Sequence, residues 1–398
     1  MSVQEVMVVD GKRTPFGRFG GSLKDISAVE LGAKVLRAVL SGKPIEPEEI
    51  GMVIMGICLP GSGLSPGRQA LLAADLPVNL SALTVDRACC SAMTAMGLAY
   101  EFIKNGRMEV ALAGGMENMS QTPYLLPQIR WGQRLGDFTV KDELVIRNPY
   151  VKAPMAQYAG EVALEYGVSR EEQDNWALHS HLSWVKAYQE GKFQEEVIPV
   201  SVPQPKGENL IFDTDEHPRP DTNIEKLAKL KPVYGSPTVT AGNASGICDG
   251  ATATLLMSKS AAEKKGLAPL ARILSHVAIC GEPRQSPALP AEAIRQSLEL
   301  AGLSLEEMAL IEINEAFAPM PLVSSLILGN RDPEKVKEIR AKLNVKGGAI
   351  AIGHPIGASG ARLVMTLAYE LRQRKERYGV AAICGAVGQA DAMVIEAL

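Results

Sequence analysis

Apolar and polar positions fall in short blocks along this chain, and the blocks change period in a regular order. Residues 5–10, Glu5-Val6-Met7-Val8-Val9-Asp10, are an apolar run closed by acidic residues at both ends, which predicts a strand. Apolar positions recurring at helical spacing over 28–40 predict a helix. A strand at 50–58 and a helix at 66–74 follow, then a strand over 83–87 that runs into Cys89-Cys90-Ser91-Ala92 and a helix reaching Lys104. Residues 110–113 read as another strand, ended by Gly114-Gly115. From residue 271 the rhythm returns: strand 271–280, helix 291–300, and strand 308–313 leading into Asn314-Glu315-Ala316-Phe317. A glycine-dense segment around 347–354 then opens a helix to about Arg374, and strands at 380–383, ending at Cys384, and 392–395 close the chain.

Residue identity hardly repeats between the halves; element order does. Alternating strands and helices predict an α/β fold with sheets covered by helices. Two such halves side by side predict a five-layered αβαβα stack with a shared central layer. Residues 120–245 break the rhythm, being richer in Pro, Gln, Asp and Trp, and read as an inserted loop domain. It holds one clear helix, with Ser169 as N-cap and Glu172 as its capping-box partner. The expected division is 1–119 with 246–270 for the first half, 120–245 for the loop domain, and 271–398 for the second half.

Composition narrows the class. The 398 residues are 46% hydrophobic and 22% charged, ordinary for a globular protein, and the net charge of −4 argues against nucleic acid as the main partner. No apolar run approaches the length of a membrane span, and neither terminus carries a recognisable address, so a cytoplasmic enzyme is expected. The six cysteines include no C-x-x-C pair, which disfavours a zinc ribbon, and a reducing compartment disfavours disulfides.

Four short segments carry candidate chemistry. Asp86-Arg87-Ala88-Cys89-Cys90-Ser91 lies at a strand-to-helix junction, where a cysteine is held on a sharp turn at the positive end of a helix, as an acyl-accepting nucleophile requires. Position alone does not separate Cys89 from Cys90. The glycine-dense 347–360 segment lacks the Lys-Ser/Thr of a phosphate loop and the G-x-G-x-x-G of a dinucleotide fold, and it brings His354 to a second helix start. A further thiol, Cys384, ends a C-terminal strand and suits a proton shuttle. Asn314 offers an amide that can hold a water against an oxyanion.

Together with Arg13-Thr14-Pro15, Gly114-Gly115-Met116-Glu117 and Ala241-Gly242-Asn243-Ala244-Ser245-Gly246, these segments stand in the order and spacing of thiolases, and the chain resembles that family from about residue 5 to its end. The resemblance implies CoA-dependent thiolytic cleavage of a 3-oxoacyl-CoA, or the reverse Claisen condensation, through an acyl-cysteine intermediate. It implies that Cys89 is acylated, that His354 takes its proton, and that Cys384 is acid and base for the second substrate. One oxyanion hole would use His354 and a water on Asn314; the other would use the backbone N–H groups of Cys89 and Ala386. Ser245 would face the pantetheine arm, Arg219 the adenine end, and Met155, Phe317 and Ala316 the acyl and CoA pocket. The family implies no metal and no cofactor beyond coenzyme A as substrate. It also implies a homodimer or homotetramer, with the loop domain giving CoA and oligomer contacts.

Several positions depart from the family pattern: Cys90 and Ala92 flank Ser91, Ala386, Val387 and Ala390 follow Cys384, and Cys248 precedes Asp249-Gly250. Added side chains near the nucleophile read either as neutral drift with compensating repacking or as a reshaped pocket for a branched, aromatic or carboxylated acyl group. Pro154 precedes Met155 where acetoacetyl-specific members usually carry histidine, which favours a catabolic member over an acetoacetyl-CoA-specific acetyltransferase. The rival readings are a condensing synthase, which Cys384 disfavours, and an acyl-binding subunit of the same fold that needs an accessory partner.

Overall fold

The computed structural model describes residues 3–61, 63–145, 147–148 and 150–398. Its first strand, Val6–Arg13, is buried on both faces over Val6 to Val9, which explains an apolar run without alternation: helices cover both sides of the sheet. Along one edge it pairs antiparallel with Cys248–Ser258, with a bulge between Val8 and Asp10. Along the other it pairs with Ala271–Cys280 at Val6↔Ile273, Met7↔Arg272 and Val8↔Ala271. This short joint fuses two half-sheets.

The halves share one strand order. In the first, Ser81–Val85, Met52–Gly56, Val110–Asn118, Cys248–Ser258 and Val6–Arg13 lie side by side. In the second the order is Leu310–Ile313, Tyr378–Gly385, Gln389–Ala397 and Ala271–Cys280, with a single parallel bridge Ile311↔Leu343 where the first half has a whole edge strand. The inner pairings are antiparallel and the outer ones parallel in both halves. The repeat of element order is therefore a repeat of topology.

Helices Ser91–Lys104 and Ser359–Arg374 form the middle layer. Ser359–Arg374 is buried without interruption from Ser359 to Leu371, as expected for a helix enclosed by sheets rather than lying on a surface. Met93 and Met96 of one helix and Leu363 and Val364 of the other share a core with Val8 and Leu256 of the first sheet and Ala381 and Met393 of the second. The outer face of the first half is covered by Ala28–Leu40, through Leu31 and Leu36 against Val53, Leu112 and Leu255. The outer face of the second half is covered by Leu289–Ala301, through Ile294 and Leu298 against Val380 and Val394. The five layers are thus α, β, α, β, α.

Two sequence expectations change. Gly114-Gly115 does not end its strand, which runs to Asn118. These glycines mark close approach: a Cβ on Gly114 would lie 2.1 Å from the Thr252 carbonyl oxygen, and one on Gly115 1.8 Å from that of Gly357. The segment between Asn118 and Cys248 holds three helices among the described residues, Met155–Glu165, Arg170–Gln189 and Ile224–Ala228, rather than one. Ser169 caps the second of them by accepting from Glu172 N, but the Glu172 carboxylate is turned to Arg340 at 2.7 Å.

Candidate active site

The turn that carries Cys89 is built from side chain to backbone bonds. Asp86 accepts from Ala88 N at 2.9 Å, and Ser91 Oγ accepts from Arg87 N at 2.9 Å and donates to Ala88 O at 2.6 Å. The Cys58 thiol donates to Ala88 O as well, at 2.9 Å. These bonds hold Ala88 at φ 51°, in the left-handed region that residues with a Cβ rarely adopt. Gly56 leaves room beneath the turn, since a Cβ there would lie 2.7 Å from the Ser91 backbone. The helix then starts at Ser91.

Environment separates the two adjacent cysteines. Burial pushes the Cys89 thiol up to about 12, and the N–H groups of Ala386 and of Cys89 itself, aimed at its sulfur, pull the other way. Cys90 is fully buried, with its sulfur 3.5 Å from Ile383 O and packed on Gly385. A thiolate is favoured by the two N–H groups at Cys89 and disfavoured by the carbonyl oxygen at Cys90. The helix terminus expected to stabilise a thiolate is outweighed by burial, so the resting group is a neutral thiol. Ala92 packs over Gly115, and Cys248 lies beside Gly353 and the His354 N–H. Both fill space around the histidine loop.

His354 is fixed from both ring nitrogens. Ser359 Oγ lies 2.6 Å from Nδ1 and donates its own hydrogen to Pro355 O at 3.0 Å, so it accepts from Nδ1–H. Nε2 is then the acceptor, 3.3 Å from Asn314 Nδ2. Burial, with Arg362 secondary, pushes the imidazole down to about 3, so it is neutral. The loop is tied by His354 N to Gly246 O at 3.1 Å.

Asn314 ends the strand Leu310–Ile313, with its N–H on Ala382 O at 3.0 Å. The next residue, Glu315, is buried and accepts from Trp176 Nε1, Ser180 Oγ, Asn344 Nδ2 and Ile350 N, all within 3.1 Å. It joins the asparagine loop to the start of the histidine loop. Ser245 donates through both N–H and Oγ to Ala316 O, at 3.1 and 3.0 Å. Cys384 is buried against Ala159, Ala316 and Met320, with Met155 and Phe317 beside them. Burial, with Cys89 near it, pushes the Cys384 thiol up. Arg219 is exposed on a neighbouring loop, its N–H 3.3 Å from His181 Nδ1, and no hydrogen bond or ion pair joins it to the thiol cluster.

Sequence reasoning passed over Glu117 and Arg87. Glu117 accepts from Cys58 N at 3.0 Å, Leu59 N at 3.1 Å and Gly357 N at 2.9 Å, and so links the Cys89 side to the histidine loop. Burial pushes its carboxyl up to about 7. Its place in Gly114-Gly115-Met116-Glu117 was the available signal. Among the described residues, no group of three or more His, Cys, Asp or Glu side chains is placed to hold a metal, and no helix is long and apolar enough to cross a membrane.

Comparison with known proteins converges on one family. Residues 6–260 match the thiolase N-terminal domain and residues 267–397 the thiolase C-terminal domain. A probable acetyl-CoA acetyltransferase of Mycolicibacterium smegmatis is 43% identical over 98% of this chain and 100% of its own. An acetyl-CoA acetyltransferase of Pseudomonas aeruginosa is 42% identical, covering 99% of each. In three dimensions the Bacillus anthracis acetyl-CoA acetyltransferase superposes with TM-score 0.95 at 39% identity over 100% of both chains. Human mitochondrial 3-ketoacyl-CoA thiolase in complex with CoA superposes with TM-score 0.93 at 40% identity, covering 99% of this chain and 98% of the other.

Proposed function

Since this chain belongs to the thiolase family, an acyltransferase family that uses coenzyme A as a substrate, we propose that it cleaves a 3-oxoacyl-CoA with free CoA through an acyl-Cys89 intermediate, in a catabolic direction. The observation that carries the reading is the pairing of two buried thiols from different halves, Cys89 under two backbone N–H groups and Cys384 beside it.

In this reading His354 Nε2 takes the Cys89 proton, and the sulfur attacks the 3-oxo carbon. The C2–C3 bond breaks, Cys384 protonates the departing acetyl-CoA carbanion, and the acyl group stays on Cys89. Cys384 then deprotonates incoming CoA, whose sulfur displaces Cys89 and releases the shortened acyl-CoA. The neutral resting state of Cys89 and His354 suits this cycle, because proton transfer waits for the substrate carbonyl. Asn314 beside His354 supports an oxyanion site for the thioester, and the N–H groups of Cys89 and Ala386 support the second, at the 3-oxo carbon. Ser245, Arg219 and the loop domain are assigned to the CoA arm.

On the acyl side Met155, Ala316, Phe317 and Met320 pack with Cys384, which suits a branched or aromatic acyl group; a carboxylated one stays among the substrates to be tested. The names of the relatives favour a second reading, an acetyl-CoA acetyltransferase acting on acetoacetyl-CoA. Thiolysis of acetoacetyl, medium-chain, branched, aromatic and carboxylated 3-oxoacyl-CoA esters separates the two, with Cys89→Ser as control. Turnover of acetoacetyl-CoA alone would sink the first reading. The exposed Tyr124, Trp131, Leu135 and Phe138 of the loop domain support its assignment to contacts in a homo-oligomer; sedimentation as a monomer at assay concentration would remove that assignment.

A further inference from the structure

Two residues with side chains stand in the left-handed region beside the thiols, one in each half: Ala88 at φ 51° and Val387 at φ 65°. Such a conformation is strained and persists only where surroundings over-determine it; for a β-branched residue it is a genuine outlier. Each neighbours a residue whose N–H lies near the Cys89 sulfur and favours its thiolate, namely Cys89 and Ala386.

One side chain reaches both turns. Arg87, immediately before Ala88, donates from Nε to Gln389 Oε1 at 3.0 Å, and Gln389 Nε2 donates to Ala386 O at 3.1 Å. The other guanidinium nitrogens donate to Asp391 at 2.5 Å, Thr94 Oγ1 at 3.3 Å and Ile279 O at 3.3 Å. Asp391 is fully buried and holds Thr94 Oγ1 at 2.6 Å and His276 Nε2 at 3.1 Å, which fixes the guanidinium from behind. With every nitrogen engaged, Arg87 is not available as an anion site for substrate.

We propose that Arg87, acting through Gln389, is a positioning residue that registers the Ala386 turn of the second half against the Cys89 turn of the first and keeps the Ala386 N–H aimed at the Cys89 sulfur. It rests on the assignment of Cys89 as nucleophile. Lysine does not replace it, because a point charge cannot bond Gln389, Asp391 and Ile279 O in one plane.

The test uses the full-length enzyme with Arg87→Ala, Arg87→Lys and Gln389→Ala. The readouts are kcat and KM for thiolysis, and the pH profile of Cys89 alkylation by iodoacetamide, followed by mass spectrometry of the Cys89 peptide. Loss of one aligned donor should lower kcat by up to about 10² to 10³, with KM for CoA changed by less than about twofold. The alkylation profile should move to higher pH, and millimolar guanidinium should restore part of the Arg87→Ala rate. The double variant Arg87→Ala/Gln389→Ala should be no slower than Arg87→Ala, since both changes cut one path. Wild-type kcat and an unshifted alkylation profile in Gln389→Ala, which leaves the Arg87–Asp391 pair intact, overturn the proposal even if Arg87→Ala does not fold. Alkylation needs no turnover, so wild-type protein that alkylates at Cys89 but cleaves no 3-oxoacyl-CoA would remove the thiolase reaction while this readout still decides the positioning role.

Discussion

Replacing Gly115 by alanine should damage turnover more than stability. The new Cβ would lie 1.8 Å from the Gly357 carbonyl oxygen and 3.0 Å from Ala92 Cβ. The first is a backbone clash, so Gly357 has to recede by about 1 Å to reach even the closest tolerable contact. It cannot slide along the sheet, because its N–H is held by Glu117 at 2.9 Å and its own α-carbon faces the Ile57 and Met116 backbone. Gly115 cannot yield either, being paired with Thr252 on one side and Gly56 on the other. The displacement therefore passes into the loop that carries His354. Overpacking of this kind costs about 1–3 kcal/mol, whereas misplacing a reacting group by about 1 Å costs on the order of a hundredfold in rate. Thermal unfolding measured beside kcat and KM for thiolysis separates the two effects. Ala92→Gly relieves only the second contact, so adding it to Gly115→Ala should recover little. A Gly115→Ala enzyme with kcat within about threefold of wild type would refute the argument that this glycine exists for close approach of the histidine loop.

Three further outcomes are expected. Arg13→Ala leaves buried Asp215, its partner at 2.7 Å, without a cation and Glu196, its partner at 2.8 Å, with only Lys346 at 3.7 Å, and should lower unfolding free energy by about 3–5 kcal/mol in urea titration; an unchanged midpoint would remove Arg13 as the counter-ion of Asp215. Cys384→Ser should lower kcat by about 10² to 10⁴ while Cys89 is still alkylated, and loss of alkylation would mean that Cys384 supports the nucleophile rather than the proton transfer. His354 is neutral in the fold down to about pH 3, while in the unfolded chain it takes a proton near 6.5. The unfolded state binds the extra proton between those values, so this contribution is complete above about pH 6.5 and is lost as pH falls towards 3, of order 5 kcal/mol in all. Glu117, held up at about 7 by burial, has the opposite sign and loses stability as pH rises through 7. Denaturation of His354→Gln between pH 4 and 8 should show a weaker acid limb, and an identical limb would locate the acid sensitivity elsewhere.

The sequence discloses what is local. The apolar run at 6–9 and the helical spacing at 28–40 survive in the structure because burial on both faces and on one face leave different periods. Met155–Glu165 is hidden because Ala156, Ala159, Gly160 and Ala163 fill most of its buried face, leaving only Tyr158 and Val162 there as large side chains, too few to mark a helical period. Gly114-Gly115 reads as a break because glycine punctuates loops, whereas here the missing Cβ atoms admit backbone. The motif residues Cys89, His354, Asn314 and Cys384 are legible as chemistry. What aims them is not, since Arg87 meets Asp391 across 304 positions and Glu117 meets Gly357 across 240. No spacing rule reaches that far.

That division bears on why the halves are fused rather than merely similar. In the first half the nucleophile turn follows the edge strand Ser81–Val85, and in the second His354 follows the bridge at Leu343 that stands in the same place. Duplicated topology thus brings two strand-to-helix junctions to one site, but gives each a different burden: a thiol on one, an imidazole on the other. Neither junction is reactive in its own surroundings, because burial holds Cys89 near 12 and His354 near 3. In the proposed cycle Cys89 is activated from across the joint, by His354, the Ala386 N–H and Cys384, all of the second half. The cost of burying both groups is then part of the selectivity, since only a ligand that brings its own developing charge under the N–H donors repays it.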